Sequence, residues 1–420
     1  MKLRFSETNR GFFLLEGLYW SAYCVLFAFT VTIFSAYGYS TAICGVVATL
    51  QYIVLLVGQP LYGYIIDHLL SPKRFFILLT AADIVFSFAL PYVFSQGLWV
   101  LLPYYVVFSF FNFSAYSVVD TWAIEVDNHL PGLDFGLQRG GGSILYAAVA
   151  LLGGNLIAPF GIEVLFVLHI ALSFLLLLLS CFLVDSAKLR QTHLDSAEAP
   201  VPEEAPGLRE VLRLLLKNRA FVLYTICMGL YYFGTRATSM YLPVILGAAG
   251  GGSGHYGLAL FISACGELFV MLWASRLLAN GVPIEHLFSL CLAMMVLRFL
   301  LLALVPRLWV ILLGQVLLAA GSGLQLRSGT QYLAAITPEN CHGMAILLSG
   351  SVSSGIGGML GNLLGGILVE SWGVRGYVLL CTATFMLGFV LFLPLSREAL
   401  HRARMQARQH FYQHNPHQDV

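Results

Sequence analysis

The feature that most restricts this chain is a repeated run of apolar residues, each long enough to cross a lipid bilayer. A helical span needs about 20 mostly apolar residues. Such runs read roughly as residues 11–35, 39–66, 74–95, 98–124, 138–158, 162–184, 219–247, 255–278, 284–304, 307–334, 341–369 and 374–395. They lack the two-residue alternation of a membrane β-barrel. Backbone polar groups cannot stay unpaired in hydrocarbon, so each run must close its own hydrogen bonds as a helix. The expectation is an all-α membrane protein with twelve transmembrane helices.

Composition narrows the function classes. Apolar residues make up 59% of the chain and charged residues 10%, against about 25% charged in soluble domains. That excludes intrinsic disorder and leaves too little charge to cover a soluble enzyme. The net charge of +1 offers no basic field for nucleic acid. The cysteines (Cys24, Cys44, Cys181, Cys227, Cys265, Cys291, Cys341 and Cys381) are scattered and form no CxxC pair, so they read as small apolar fillers. There is no phosphate-cradling Gly-Lys-Ser/Thr motif and no HExxH motif. Neither an enzyme activity nor a cofactor or metal is expected. Lys2, Arg4 and Arg10 precede an apolar stretch too long for a cleavable leader.

Lys and Arg set the expected orientation. With the N-terminus inside, 17 of the 22 fall in inner segments, while only Arg307 and Arg375 fall in outer loops. Both termini are expected to be cytoplasmic. One long polar connection, centred on Asp195-Ser-Ala-Glu-Ala-Pro-Val-Pro-Glu-Glu-Ala-Pro206, divides the spans six and six. The expected organisation is a six-helix bundle over 1–185, a cytoplasmic linker over 186–217, a second six-helix bundle over 218–396 and a cytoplasmic tail over 397–420. Within the linker, Arg209 to Arg219 reads as a basic amphipathic helix on the inner membrane surface.

Three motifs carry a resemblance. Gly63-Tyr-Ile-Ile-Asp67 followed by Lys73-Arg74 stands between spans 2 and 3. Gly136-Leu-Gln-Arg139-Gly-Gly-Gly142-Ser143 opens span 5, and Gly355 to Gly366 followed by Glu370-Ser-Trp-Gly373 lies in span 11. The chain resembles the major facilitator superfamily, in the subgroup that holds lactose permease and the nucleoside and phenylpropionate proton symporters. The resemblance implies two six-helix halves that rock around a midplane site in a bacterial plasma membrane, acting as a monomer. It also implies that Gly63, Asp67, Lys73 and Arg74 gate one closed state. Asp67 stands further from the basic pair than in the family pattern, and the second Gly of that pattern is absent. The exporter-type signature of span 5 is not present, which tilts the reading toward import.

Ionisable side chains in the bilayer core cost about 2.5–3.5 kcal/mol or more, so they face a cavity or a partner. Here they are Glu16, Asp83, Asp120, Glu125, Glu267, Arg139, Arg236, Arg298 and Arg327. Glu16, Trp20 and Tyr23 share one face of span 1 and read as a substrate wall. Asn112, Tyr116 and Asp120 repeat every fourth residue on span 4 and read as a polar stripe. Glu125 and Arg139 could pair across the loop between spans 4 and 5, with Asp120 as the rival partner. In the resembled subgroup an acid on span 4 and an Arg on span 5 bind sugar hydroxyls, and an aromatic seven residues later stacks on the sugar. Tyr146 stands at that place, with Ser143 between. By the same resemblance Glu267 contacts sugar and Arg298 assists proton movement, so Asp120, Glu267 and Arg298 are the expected proton-coupling set. Span 10 lacks the His and acid of that subgroup. Tyr232 precedes Arg236 by one turn, and that Arg could hold a carboxylate. Asp83 and His169 read as structural, with a proton-carrying role for His169 as the alternative.

The leading expectation is therefore a proton-coupled importer of a small polar solute, with sugars or oligosaccharides first and nucleosides or aromatic carboxylates next. Protons and the lipid bilayer are its expected partners. Proton-antiport efflux of amphipathic compounds is one alternative, and a non-transporting receptor or scaffold is the other.

Overall fold

The computed structural model describes residues 7–129, 135–185, 208–337 and 342–414. Among these there is no strand. Helix α1 (Glu7–Tyr23) runs into a π-turn (Cys24–Ala28) and resumes as α2 (Thr30–Ala36). Then come α3 (Thr41–His68), α4 (Pro72–Ser95), α5 (Leu98–Asn112), α6 (Tyr116–His129), α7 (Phe135–Phe160) and α8 (Val164–Phe182). The short α9 (Leu208–Lys217) leads into α10 (Arg219–Ala248), α11 (Ser253–Ala279), α12 (Ile284–Leu304) and α13 (Leu308–Ile336). Helix α14 (His342–Gly350) passes through a second π-turn (Ser351–Ile356) into α15 (Gly357–His414). Most of the linker proposed from the sequence lies outside the described residues.

Local chemistry explains several boundaries. Ser71 accepts from the Arg74 amide at 3.4 Å, and Pro72 follows it at a position where no amide donor is needed. Asn218 accepts from the Ala220 and Phe221 amides at 3.0 and 3.2 Å and so starts α10. Its amide group also donates to the Ile336 carbonyl at 2.7 Å, which ties α10 to the end of α13. Helix α15 reverses at Gly373, whose φ of 69° and ψ of 174° need a residue without a Cβ.

Ten helices among the described residues are long and apolar enough to cross a membrane. The expected twelve spans differ from that number for two reasons. Residues Met344–Pro394 form one continuous stretch that folds back at Gly373. Helix α10 has 30 residues, but its Tyr, Gly and Thr residues and Arg236 lower its hydropathy. The surface also belongs to a bilayer. Val85, Phe88, Val167, Phe269 and Leu304 are 66–75% exposed, which water would penalise and hydrocarbon does not. This is an integral, multi-pass membrane protein.

The apolar interior forms two clusters. One extends from Phe34, Phe94 and Phe166 in the N-terminal half to Tyr241, Phe299 and Phe385 in the C-terminal half. The other, around Phe12, Tyr62, Phe76 and Trp122, belongs to the N-terminal half alone. The halves therefore share a core toward one end of the molecule.

Candidate substrate cavity

The shared end is the one that carries Thr41 and Ser253. The expected charge orientation makes it the outer end. Backbones approach there through small residues. A Cβ on Gly154 of α7 would lie 2.5 Å from the Ser253 carbonyl of α11, and one on Gly257 would lie 2.5 Å from the Ala150 carbonyl. Gly45 of α3 faces the Asn362 carbonyl of α15 in the same way, at 2.7 Å. Hydrogen bonds add to the closure. Thr41 Oγ1 donates to Gly366 O at 3.2 Å, the Ala42 amide to Glu370 Oε2 at 3.2 Å and Tyr256 Oη to Ala28 O at 2.5 Å. At the other end Gly63 and Gly140 have nothing within 4 Å of a virtual Cβ. The halves are closed at the Thr41 end and part toward the opposite end.

Aromatic side chains line the space between them. Trp20 Nε1 donates to Glu16 Oε2 at 3.1 Å, one turn back on α1, and Glu16 is fully buried. The Trp20 ring lies 5.2 Å from Tyr23 and 6.1 Å from Tyr116. Gln59 of α3 donates to Tyr116 Oη at 2.7 Å. Phe113 touches both Tyr23 and Tyr52, each at 5.8 Å between ring centroids.

Arg236 faces this wall from α10. Its guanidinium carbon sits 5.4 Å over the Tyr232 ring. Its electrostatic neighbours are Tyr52, Tyr232, Tyr23 and Tyr231, so residues from both halves converge on it. Gly358 of α15 permits this approach, because a Cβ there would lie 3.3 Å from Tyr52 Oη and 3.4 Å from Arg236 Cγ. Arg236 is packed deep among side chains yet exposed to solvent. Arg236 therefore lines the open space between the halves. Aromatic faces offer a surface for the C–H side of a ring, and a guanidinium fork binds oxygens.

Other expected residues lie elsewhere. Helix breaks at 113–115 split the expected stripe of span 4. Asn112 turns away from the cavity and donates to Asp83 Oδ1 at 2.6 Å, while Tyr116 faces Trp20. Asp120 is half-buried within electrostatic reach of Tyr19 and Tyr116. Glu125 lines a hollow of about 220 Å³ with Asp67 and His68, away from the aromatic wall. The side chain of Arg139 lies outside the described residues. Ser143 is half-buried on α7, and Tyr146 neighbours Cys24, Tyr256 and Tyr23. Glu267 neighbours Tyr231.

The remaining basic residues take local surroundings. Arg298 is fully buried, and its three guanidinium nitrogens have no hydrogen-bond partner. It packs on the Phe299 ring. Lys73 and Arg74 bond within their own half. Lys73 Nζ donates to the Cys181 and Leu183 carbonyls at 2.9 and 2.5 Å, and Arg74 Nε lies 3.8 Å from Asp185 Oδ2. They hold the carbonyl-rich end of α8, where basic groups are favoured. Sequence reading missed Tyr52, Gln59 and Gln325, the last a neighbour of Tyr232. Gln51, Tyr52 and Gln59 are polar or amphipathic residues in an otherwise apolar run, which was the available signal.

The sequence matches the model of the MFS_1 like family over residues 12–380. The chain belongs to this family of the major facilitator superfamily. It is 26% identical over 360 residues to a maltose permease of Geobacillus stearothermophilus, covering 85% of this chain and 86% of that protein. Its fold is similar to the crystal structure of the nucleoside transporter NupG, with a TM-score of 0.75, 16% identity and 94% and 99% of the two chains covered. A D-xylose–proton symporter is similar with a TM-score of 0.69, 12% identity and 91% and 96% covered. This member of the superfamily is a membrane transporter and not an enzyme.

Proposed function

We propose that the chain imports a neutral sugar or short oligosaccharide together with protons, by alternating access of its two halves in a bacterial plasma membrane. The observation that supports this reading is the wall of Trp20, Tyr23 and Tyr116 facing Arg236, which has no ion-pair partner among the described residues. Aromatic rings stack on sugar faces, while Glu16, Gln59 and Arg236 meet hydroxyls. The similarity to a maltose permease makes a glucose disaccharide the first probe. Ser143 and Tyr146 extend the site along α7, with Tyr232, Asp120 and Glu267 around it, while Glu125 lies apart from it beside Asp67. Protonation at Asp120 or Glu267 would supply the coupling, with Arg298 assisting. Gly63, Asp67, Lys73 and Arg74 would take part in closing the inner end in the opposite state. Both termini lie in the cytoplasm, and the monomer is the working unit.

The test uses the purified chain in liposomes that enclose a pH dye. Adding maltose without an imposed gradient acidifies the interior if the reading is right. Acidification by nucleosides or aromatic acids instead would move the substrate class. No response to any of them would overturn solute–proton symport.

A further inference from the structure

A second polar group lies buried inside the N-terminal half, away from the cavity. Asp83 of α4, His169 and Ser173 of α8 and Asn112 of α5 are each at most 5% exposed. Asp83 Oδ1 accepts from Asn112 Nδ2 at 2.6 Å, and Oδ2 accepts from Ser173 Oγ at 2.8 Å. His169 Nε2 lies 3.2 Å from Asp83 Oδ1, and Nδ1 lies 2.9 Å from the Ala22 carbonyl of α1.

Proton counting follows from these partners. A carbonyl only accepts, so Nδ1 carries a hydrogen. The Nε2–Oδ1 contact is a hydrogen bond only when one proton lies between the two atoms. The pair holds that proton either as imidazolium with carboxylate or as imidazole with carboxylic acid, and both forms are neutral overall. Once the proton leaves, the ring has a single N–H for two acceptors. The carboxylate makes the stronger, charge-assisted bond, so the Ala22 carbonyl is released.

That carbonyl stands at the entry to the π-turn Cys24–Ala28, a type of irregularity that often marks functional sites. The last carbonyl of the same turn, Ala28 O, accepts from Tyr256 Oη of the opposite half, and Phe29 packs edge-on to the Tyr256 ring at 5.0 Å. The π-turn is thus gripped by His169 at one end and by the outer closure at the other. The groups that face the pair are Ala22 O and Tyr19 from α1, Ser87 from α4, Asn112 and Phe108 from α5 and Ser173 from α8. Tyr19 leads on to Asp120 and Tyr23. Asp83 is the charged neighbour of the imidazole.

We infer that Asp83 and His169 form a one-proton site that holds the outer end closed when loaded and lets it open when empty. Its place in import rests on the proton-coupled reading above. A proton taken up from outside would then favour the closed state seen here.

Cys44 reports the state of the outer end without any sugar. It is fully buried on α3, beside Tyr241 and next to Gly45, which faces α15. The full chain in nanodiscs is treated with a maleimide across a pH series, and modification is read at the Cys44 peptide by mass spectrometry. Each rate is divided by that of free cysteine at the same pH. The corrected rate is expected to stay low in acid and to rise by up to about tenfold per pH unit as the site empties. Asp83→Asn, neutral at every pH, should stay slow throughout. His169→Gln, which removes the ring, should lose the slow, protected state. A flat wild-type profile, or an unchanged rise in Asp83→Asn, would overturn the inference without needing the other variant. A pH-dependent profile in a protein that acidifies no liposomes would remove the import reading and leave the proton site standing.

Discussion

A buried guanidinium with no hydrogen-bond partner is costly, and arginine does not escape by losing its proton. Arg298 therefore subtracts from stability unless its charge serves transport. Replacing buried ionic groups with well-packed apolar ones often gains about 1–4 kcal/mol. We expect Arg298→Met to raise the thermal midpoint in detergent by several degrees, while sugar-driven acidification falls. A lowered midpoint would mean that Arg298 has a stabilising partner in the solution ensemble. In the cavity, Trp20 is the residue to remove first. Trp20→Ala should raise the half-saturation concentration for maltose counterflow by about tenfold, equivalent to ~1.4 kcal/mol of lost stacking. Trp20→Phe should keep most of the affinity. An unchanged half-saturation in Trp20→Ala would take α1 out of the substrate wall.

At the scale of elements, several spans depart from regular α-helix. Two π-turns interrupt the first and eleventh spans, at Cys24–Ala28 and Ser351–Ile356. Span 4 breaks between Asn112 and Tyr116, which sends one side chain to Asp83 and the other to Gln59 and Trp20. Helices α7 and α11 close the shared end of the halves through Gly154 and Gly257. Branched side chains cannot fit at a backbone approach of this kind. Gly257→Val should hold the outer end open, abolish maltose uptake and raise the Cys44 labelling rate. Uptake equal to wild type would show that this helix contact is not part of the transport cycle.

For the whole molecule, the class of fold was legible because hydrocarbon imposes one rule on every span. Apolar runs of span length, the six-and-six division and the span 5 and span 11 motifs led to the family directly. The cavity was partly legible. Glu16, Trp20 and Tyr23 share a helical face that the structure preserves, since α1 stays regular up to Tyr23. The pairings were not legible. Asp83 lies 86 positions from His169, and Tyr256 lies 228 positions from Ala28. No local periodicity links residues at such separations. The amino-acid sequence by itself determined which segments must be helices in lipid, since unpaired backbone groups there have no alternative partner. Only tertiary packing decided which polar side chains meet, where the helices give way to π-turns and which end of the transporter is closed. Those outcomes depend on rotations of whole helices about their axes, and on glycines that admit a neighbour's backbone.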